Sequence, residues 1–187
     1  MVKLHTEEHG EGYPLLLITG LGYALWSWQR QIPAWSRRFR VVAIENRGTG
    51  RSPKPPGPYS IEEMADDAAE ALQGRQAHVA GFSMGGYIAQ TLALRHPELV
   101  ERLVLIGTGT GGPDYLPTAA ETISAWEANA DKAPADFARA TMPLYENGLE
   151  LARRIPVSEF VQFEGAGHLL FLESPEDFNR TVEEFLS

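Results

Sequence analysis

The sequence contains no cysteine. That absence excludes disulfides and thiolate-held metals and fits a reducing compartment, so a cytoplasmic protein is expected. Positive charge is scarce as well. Sixteen Lys and Arg face 25 Asp and Glu, for a net charge of −9. Nucleic acids are held by clustered Lys and Arg, and the densest cluster, Arg37, Arg38 and Arg40, is too short for that task. No nucleic-acid partner is expected. Long apolar runs are missing too. Nothing approaches the roughly 20 residues that span a bilayer, and residues 1–12 carry no apolar signal-like stretch. A soluble chain with no membrane partner is expected. Repeats, low-complexity tracts, a dinucleotide-binding Gly-rich loop and metal-ligand spacings of His, Asp and Glu are all lacking. No cofactor and no metal are expected.

What is present suits one globular domain over residues 1–187, with 43% hydrophobic and 22% charged residues. Leu15-Leu16-Leu17-Ile18, Val41-Val42-Ala43-Ile44 and Leu103-Val104-Leu105-Ile106 are short unbroken apolar runs, and His78-Val79-Ala80 is a weaker one. Such runs read as strands covered on both faces. Helical patterns lie between them. One runs from Ile61 to Leu72 behind Ser60 as N-cap, with Glu62 and Glu63 in its first turn. Another runs from Gly85 to His96 and stops before Pro97. Residues 146–154 have helical spacing, and Ser174-Pro175-Glu176-Asp177 opens a last helix ending near Leu186. Alternating strands and helices predict an α/β fold with a doubly wound, mostly parallel sheet. Residues 107–140, rich in Gly, Pro, Ala and Asp, read as a loop or reduced lid.

Gly81-Phe82-Ser83-Met84-Gly85 matches G-x-S-x-G, follows a predicted strand and precedes a predicted helix. Such a turn is tight enough to demand very small residues two places either side of the serine. It also lifts the hydroxyl clear of the sheet. Ser83 is the candidate nucleophile. Acyl transfer needs N–H donors for the developing oxyanion. The backbone N–H of Met84 is one candidate. The N–H of Leu21, in the Thr19-Gly20-Leu21-Gly22 loop after the first buried strand, is the second.

A general base is sought among five histidines. His5 and His9 sit in the polar N-terminal region, His78 opens a strand, and His96 ends a helix. His168 lies downstream of Ser83, as the serine–acid–histidine order of a G-x-S-x-G fold requires. It follows a predicted short strand at residues 160–163, and the small residues Gly165, Ala166 and Gly167 precede it. His168 is the candidate base.

With these motifs in hand, the sequence resembles the lidded α/β-hydrolases that include 3-oxoadipate enol-lactonases, small carboxylesterases and proline-iminopeptidase-like enzymes. Thr19 to Gly22 with Trp26 and Trp28 looks like that family's His-Gly loop and the helix behind it. Glu45-Asn46-Arg47-Gly48-Thr49-Gly50-Arg51-Ser52 looks like its Asp-x-Arg-Gly-x-Gly-x-Ser loop, and Gly81 to Gly86 like its nucleophile elbow. Glu164 to His168, continued to Pro175, looks like its histidine loop. The resemblance implies hydrolysis of a small carboxylic ester or lactone, with Ser83 as nucleophile, His168 as base and Leu21 and Met84 at the oxyanion. It implies a structural role for Arg47, which shapes the floor of the site. Ser83, where related dehalogenases and epoxide hydrolases have Asp, argues against both of those activities.

Two departures stand out. Thr19 replaces the family's histidine, which matters little because the donor is backbone. The chain is also shorter than that family usually is. Counting back from His168, Ala140 occupies the place of the catalytic aspartate, and residues 130–136 do not read as the buried strand that should precede it. Most of the cap and one core strand are expected to be absent. Asp114, after the strand ending at Ile106, and Asp136 are the candidate replacements, and a site without any protein acid is the third alternative. Glu45 belongs to a loop with a structural role. The competing reading is a weak or inactive hydrolase-fold remnant that acts as a binding or interaction protein. The missing strand favours that reading, and a gap in the sheet exposes edges, so homodimerisation by edge pairing or swapping is expected with it.

Overall fold

The computed structural model describes residues 1–109 and 158–187. Asp114, Asp136, Trp126, the helix expected at 146–154 and all but the first residues of the expected lid lie outside them. Among the described residues five strands form one sheet in the order β1-β3-β2-β4-β5: β1 (Thr6–His9), β2 (Tyr13–Ile18), β3 (Phe39–Ile44), β4 (Ala77–Phe82) and β5 (Val100–Ile106). β2 lies parallel to both β3 and β4, and β4 parallel to β5, whereas β1 runs antiparallel to β3.

The alternation of side chains along a strand divides the core in two. Leu15, Leu17, Val41, Ala43, Ala80 and Phe82 face one side of the sheet, where they meet Trp28, Trp35, Phe171 and Phe178. Leu16, Ile18, Val42, Ile44, Ala77 and Val79 face the other, against Met64, Leu72, Ile88 and Leu92. Both faces are covered, which is why β2 and β3 read as continuous apolar runs. Each fully buried Val, Leu, Ile or Phe among them contributes about 1.5–3 kcal/mol.

The helices are α1 (Ile32–Trp35), α2 (Ile61–Leu72), α3 (Met84–Arg95), α4 (Leu170–Glu173) and α5 (Pro175–Leu186). α2 has the start its sequence predicts. The Ser60 hydroxyl accepts from Glu63 N while Glu63 returns a bond to Ser60 N. Ser174 caps α5 by position only, since its side chain makes no capping bond. Arg47 lies buried between β3 and α2. It donates to Asp67 at 2.7 and 3.0 Å and to Glu63 at 2.8 Å.

Three expectations need correction. Residues 5–9 are more than a polar tail, because Thr6–His9 pair with β3 from Thr6↔Ile44 to His9↔Val41. Their alternating polar residues suit an edge strand with one wet face. Residues 160–163 form no strand. A strand requires a partner edge, and this segment lies in no ladder. Phe160 and Val161 are exposed, and Phe163 reaches the core through Phe178. β5 was expected to be covered on both faces, yet most of it is only half-buried.

Candidate active site

Ser83 stands between β4 and α3 with φ 54° and ψ −118°. A non-glycine residue there is strained by roughly 1–3 kcal/mol, and two short contacts force the turn. A Cβ on Gly81 would collide with the Gly85 carbonyl, and one on Gly85 with the Ile18 carbonyl at the end of β2. The helix thus begins directly on the sheet. The turn is closed by Ser83 N donating to Ile106 O at 2.9 Å and Gly86 N donating to Ser83 O at 2.9 Å. Met84 is the first residue of α3, so its N–H has no acceptor within the helix.

The loop after β2 lies over this turn. A Cβ on Gly20 would sit 3.2 Å from Ser83 Cβ and 3.1 Å from the Phe82 ring. Leu21 follows and is 74% exposed. Two side chains from the segment after β3 grip the same loop. Asn46 Nδ2 donates to Thr19 O at 2.9 Å, and Glu45 Oε1 accepts from Leu25 N at 3.4 Å. Glu45 is 3% exposed, and its Oε2 accepts from Arg51 N at 2.6 Å. It follows an interior strand rather than the sheet edge. With both oxygens held by loops, it serves as a structural acid.

His168 is brought to the same end of the sheet. Its ring lies 4.6 Å from that of Phe82, and its Nδ1 lies 3.0 Å from where a Cβ on Gly107 would stand. Gly107, just past β5, has φ +52°. It is glycine on two counts, the backbone angle and the imidazole against it. The histidine loop is fastened on both sides. Gly167 N donates to Glu173 Oε2 at 2.9 Å, and Phe171 packs against Trp28 and Phe82. Burial lowers the His168 pKa from 6.5 to about 4, so the imidazole is neutral at pH 7. Its Nδ1 is buried and has no hydrogen-bond partner among the described residues.

The elbow, the loop after β2 and His168 therefore lie together at the carboxyl ends of β2, β4 and β5, the usual place for a site in an open α/β sheet. Asp114 and Asp136 cannot be placed beside His168, because they lie outside the described residues. Sequence reasoning did not single out Asn46, Phe82 or Glu173 as neighbours of the site. All three lie within the motifs given above, and the partners that reveal Asn46 and Phe82 are far along the chain. The other histidines are elsewhere. His96 faces Asp66 at 2.9 Å, and His78 lies at the opposite end of the sheet beside Tyr13. Among the described residues no cluster of three metal-ligating side chains occurs, and no helix is long and apolar enough to cross a membrane.

Residues 13–141 match the family model described as alpha/beta hydrolase fold. A putative carbamate hydrolase RutD from Azorhizobium caulinodans is 43% identical over 116 residues, covering 60% of this chain and 44% of that protein. The chain thus spans less than half the length of that relative. A hydrolase from Pseudomonas aeruginosa PA01 superposes with a TM-score of 0.80 at 26% identity, over 98% of this chain and 94% of that one. The enol-lactonase from Burkholderia xenovorans LB400 does so with a TM-score of 0.78 at 26% identity, over 98% and 96%. On the match over most of its length and the strand order that accompanies it, this chain belongs to the α/β-hydrolase family.

Proposed function

We propose that this chain is a serine hydrolase that cleaves a small carboxylic ester or lactone through an acyl-enzyme on Ser83. The observation that carries the reading is the strained φ of Ser83 on a strand–turn–helix elbow, with a buried imidazole at the same end of the sheet. Strain of this kind persists where the surroundings over-determine it, and it clusters at reactive positions. Relatives named as hydrolases and an enol-lactonase support the same chemistry.

In the first half-reaction, Ser83 Oγ attacks the carbonyl carbon and its proton passes to His168 Nε2. Nδ1 faces Gly107 and remains the protonated nitrogen. The N–H groups of Met84 and Leu21 hold the oxyanion. Collapse breaks the bond to the leaving oxygen, which takes the proton from His168. Water then attacks the acyl-enzyme with His168 again as base, releasing the carboxylic acid and restoring Ser83.

One observation favours a second reading. Among the described residues nothing pairs with the buried His168 Nδ1, where a triad has a carboxylate. Loss of that carboxylate typically costs about 10⁴ in kcat, while the remainder keeps about 10³–10⁴ over water. The alternative is accordingly a weakly active or inactive member of the fold that binds a partner. Release of p-nitrophenol from p-nitrophenyl acetate and butyrate, with Ser83→Ala alongside, separates the two. A stoichiometric burst abolished by Ser83→Ala is expected. Identical traces from both proteins would leave the binding reading alone.

A further inference from the structure

Resting on the serine-hydrolase reading, we propose that Glu45 and Asn46 are positioning residues that clamp the oxyanion loop at its two ends and so set the aim of the Leu21 N–H. The loop leaves the sheet at Ile18 and re-enters regular structure in the short 3-10 helix Leu25–Trp28. Its first carbonyl, Thr19 O, accepts from Asn46 Nδ2 at 2.9 Å, with Thr19 Oγ1 at 3.4 Å from the same nitrogen. Its last N–H, that of Leu25, donates to Glu45 Oε1. One turn of chain after β3 therefore holds both ends of a loop from a different strand.

The clamp is coupled to the elbow as well. Thr19 O is among the atoms that a Cβ on Gly85 would strike. The carbonyl that Asn46 grips thus lies against the first turn of α3. The peptide that follows carries the Leu21 N–H, and its carbonyl, Gly20 O, accepts from Tyr23 N at 3.3 Å, so the loop is fixed on both sides of Gly20. Leu21 itself has an exposed side chain and supplies no packing to hold that plane. The buried carboxylate of Glu45 is fixed in turn. Arg51 N donates to Oε2 at 2.6 Å, Arg51 Nε stands 3.6 Å from it, and a Cβ on Gly50 would strike the carboxylate. Ser52 Oγ donates to Glu45 O and accepts from His5 N, which ties the clamp to the N-terminal segment. A carboxyl group this deep is costly to bury unless its oxygens are hydrogen-bonded, and both are.

Donors aimed at the oxyanion act only when it forms, so misaiming one lowers the acylation rate and leaves ground-state binding alone. A misplacement of about 1 Å is enough to cost roughly 10²-fold. The test compares the p-nitrophenyl acetate burst of the unaltered chain with those of Asn46→Leu, Glu45→Gln and Ser83→Ala, with thermal melting of each. Asn46→Leu and Glu45→Gln are expected to acylate about ten- to a hundred-fold more slowly, with KM within about twofold and melting above the assay temperature. If Asn46→Leu melts too low, Asn46→Asp keeps the shape and exchanges the donor for an acceptor, and it decides in the same way. An unaltered burst rate in these folded variants, beside a Ser83→Ala protein without a burst, overturns the clamp and spares the nucleophile. A rise in KM with kcat unchanged also overturns it, because that marks a binding role. No burst from the unaltered chain overturns both.

Discussion

The ring of Phe82 lies 4.6 Å from the imidazole of His168, tilted 45° to it. Phe82 is fully buried at the end of β4 and also touches Phe171 and Tyr23. It therefore forms part of the apolar wall that holds His168 neutral. Phe82→Leu opens that wall while keeping a hydrophobic side chain. The expected results are a destabilisation of about 1–3 kcal/mol and a His168 pKa raised toward 6.5. NMR titration of the imidazole and a denaturant melt check both. A pKa left where it was would assign the desolvation to other neighbours.

Because the His168 pKa is lowered to about 4, two pH effects follow. Neutral imidazole is the form that accepts the serine proton, so the acylation rate should stay flat from pH 8 to 5 and fall by half near pH 4. The folded pKa lies below the unfolded value of 6.5, so between them the unfolded chain binds more protons. The associated stability is complete above pH 6.5 and is lost as the pH falls toward 4, up to about 3 kcal/mol. His168→Gln, which does not titrate, should flatten that part of the curve. A rate profile with its acid limb near 7 would show a carboxylate facing Nδ1 in solution.

Much of this arrangement was legible in the residues. G-x-S-x-G specifies a strand–turn–helix because of the space it denies at Gly81 and Gly85, and the apolar runs around Leu16 and Val42 demand cover on both faces. β1 was hidden by its polar residues, because an edge strand needs burial on one side only. Residues 160–163 have a strand-like pattern, but pattern alone supplies no pairing edge. The grip of Asn46 on Thr19 could not be read at all. Its partners are 27 residues apart, and only the parallel pairing of β2 with β3 makes them neighbours.

Arg47 and Asp67 are a test of buried charge. Arg47 Nε and Nη2 donate to Asp67, whose Oδ1 also accepts from Val2 N at 2.8 Å. Removing Asp67 leaves the buried guanidinium with Glu63 alone, which is half exposed. Asp67→Ala is expected to cost about 3–5 kcal/mol, a fall in Tm of roughly 6–20 °C for a chain of this size. The double variant Arg47→Met with Asp67→Leu is expected to lose less than the single one, because no unpaired charge remains. If the double variant melts lower than Asp67→Ala, the pair contributes net stability beyond its desolvation cost.

Gly85→Ala probes whether the elbow is held by contact or by local preference. Gly85 lies inside α3, where Ala is ordinarily favoured by about 1 kcal/mol. Here the added methyl would meet the carbonyls of Ile18 and Thr19. Both are backbone atoms of a fully paired strand end and its clamped loop, so neither can give way cheaply. The sign of the propensity effect should therefore reverse. Gly85→Ala is expected to destabilise by about 3 kcal/mol or more and to abolish the burst, since the displaced loop carries Leu21. Gly74→Ala is the matched control. A Cβ there meets nothing within 4 Å, and only its φ of +76° is penalised. Gly85 lies in α3 without a positive φ, so a Gly85→Ala protein that melts no lower than the unaltered chain would overturn the close approach of α3 to β2 as the reason for glycine at the elbow.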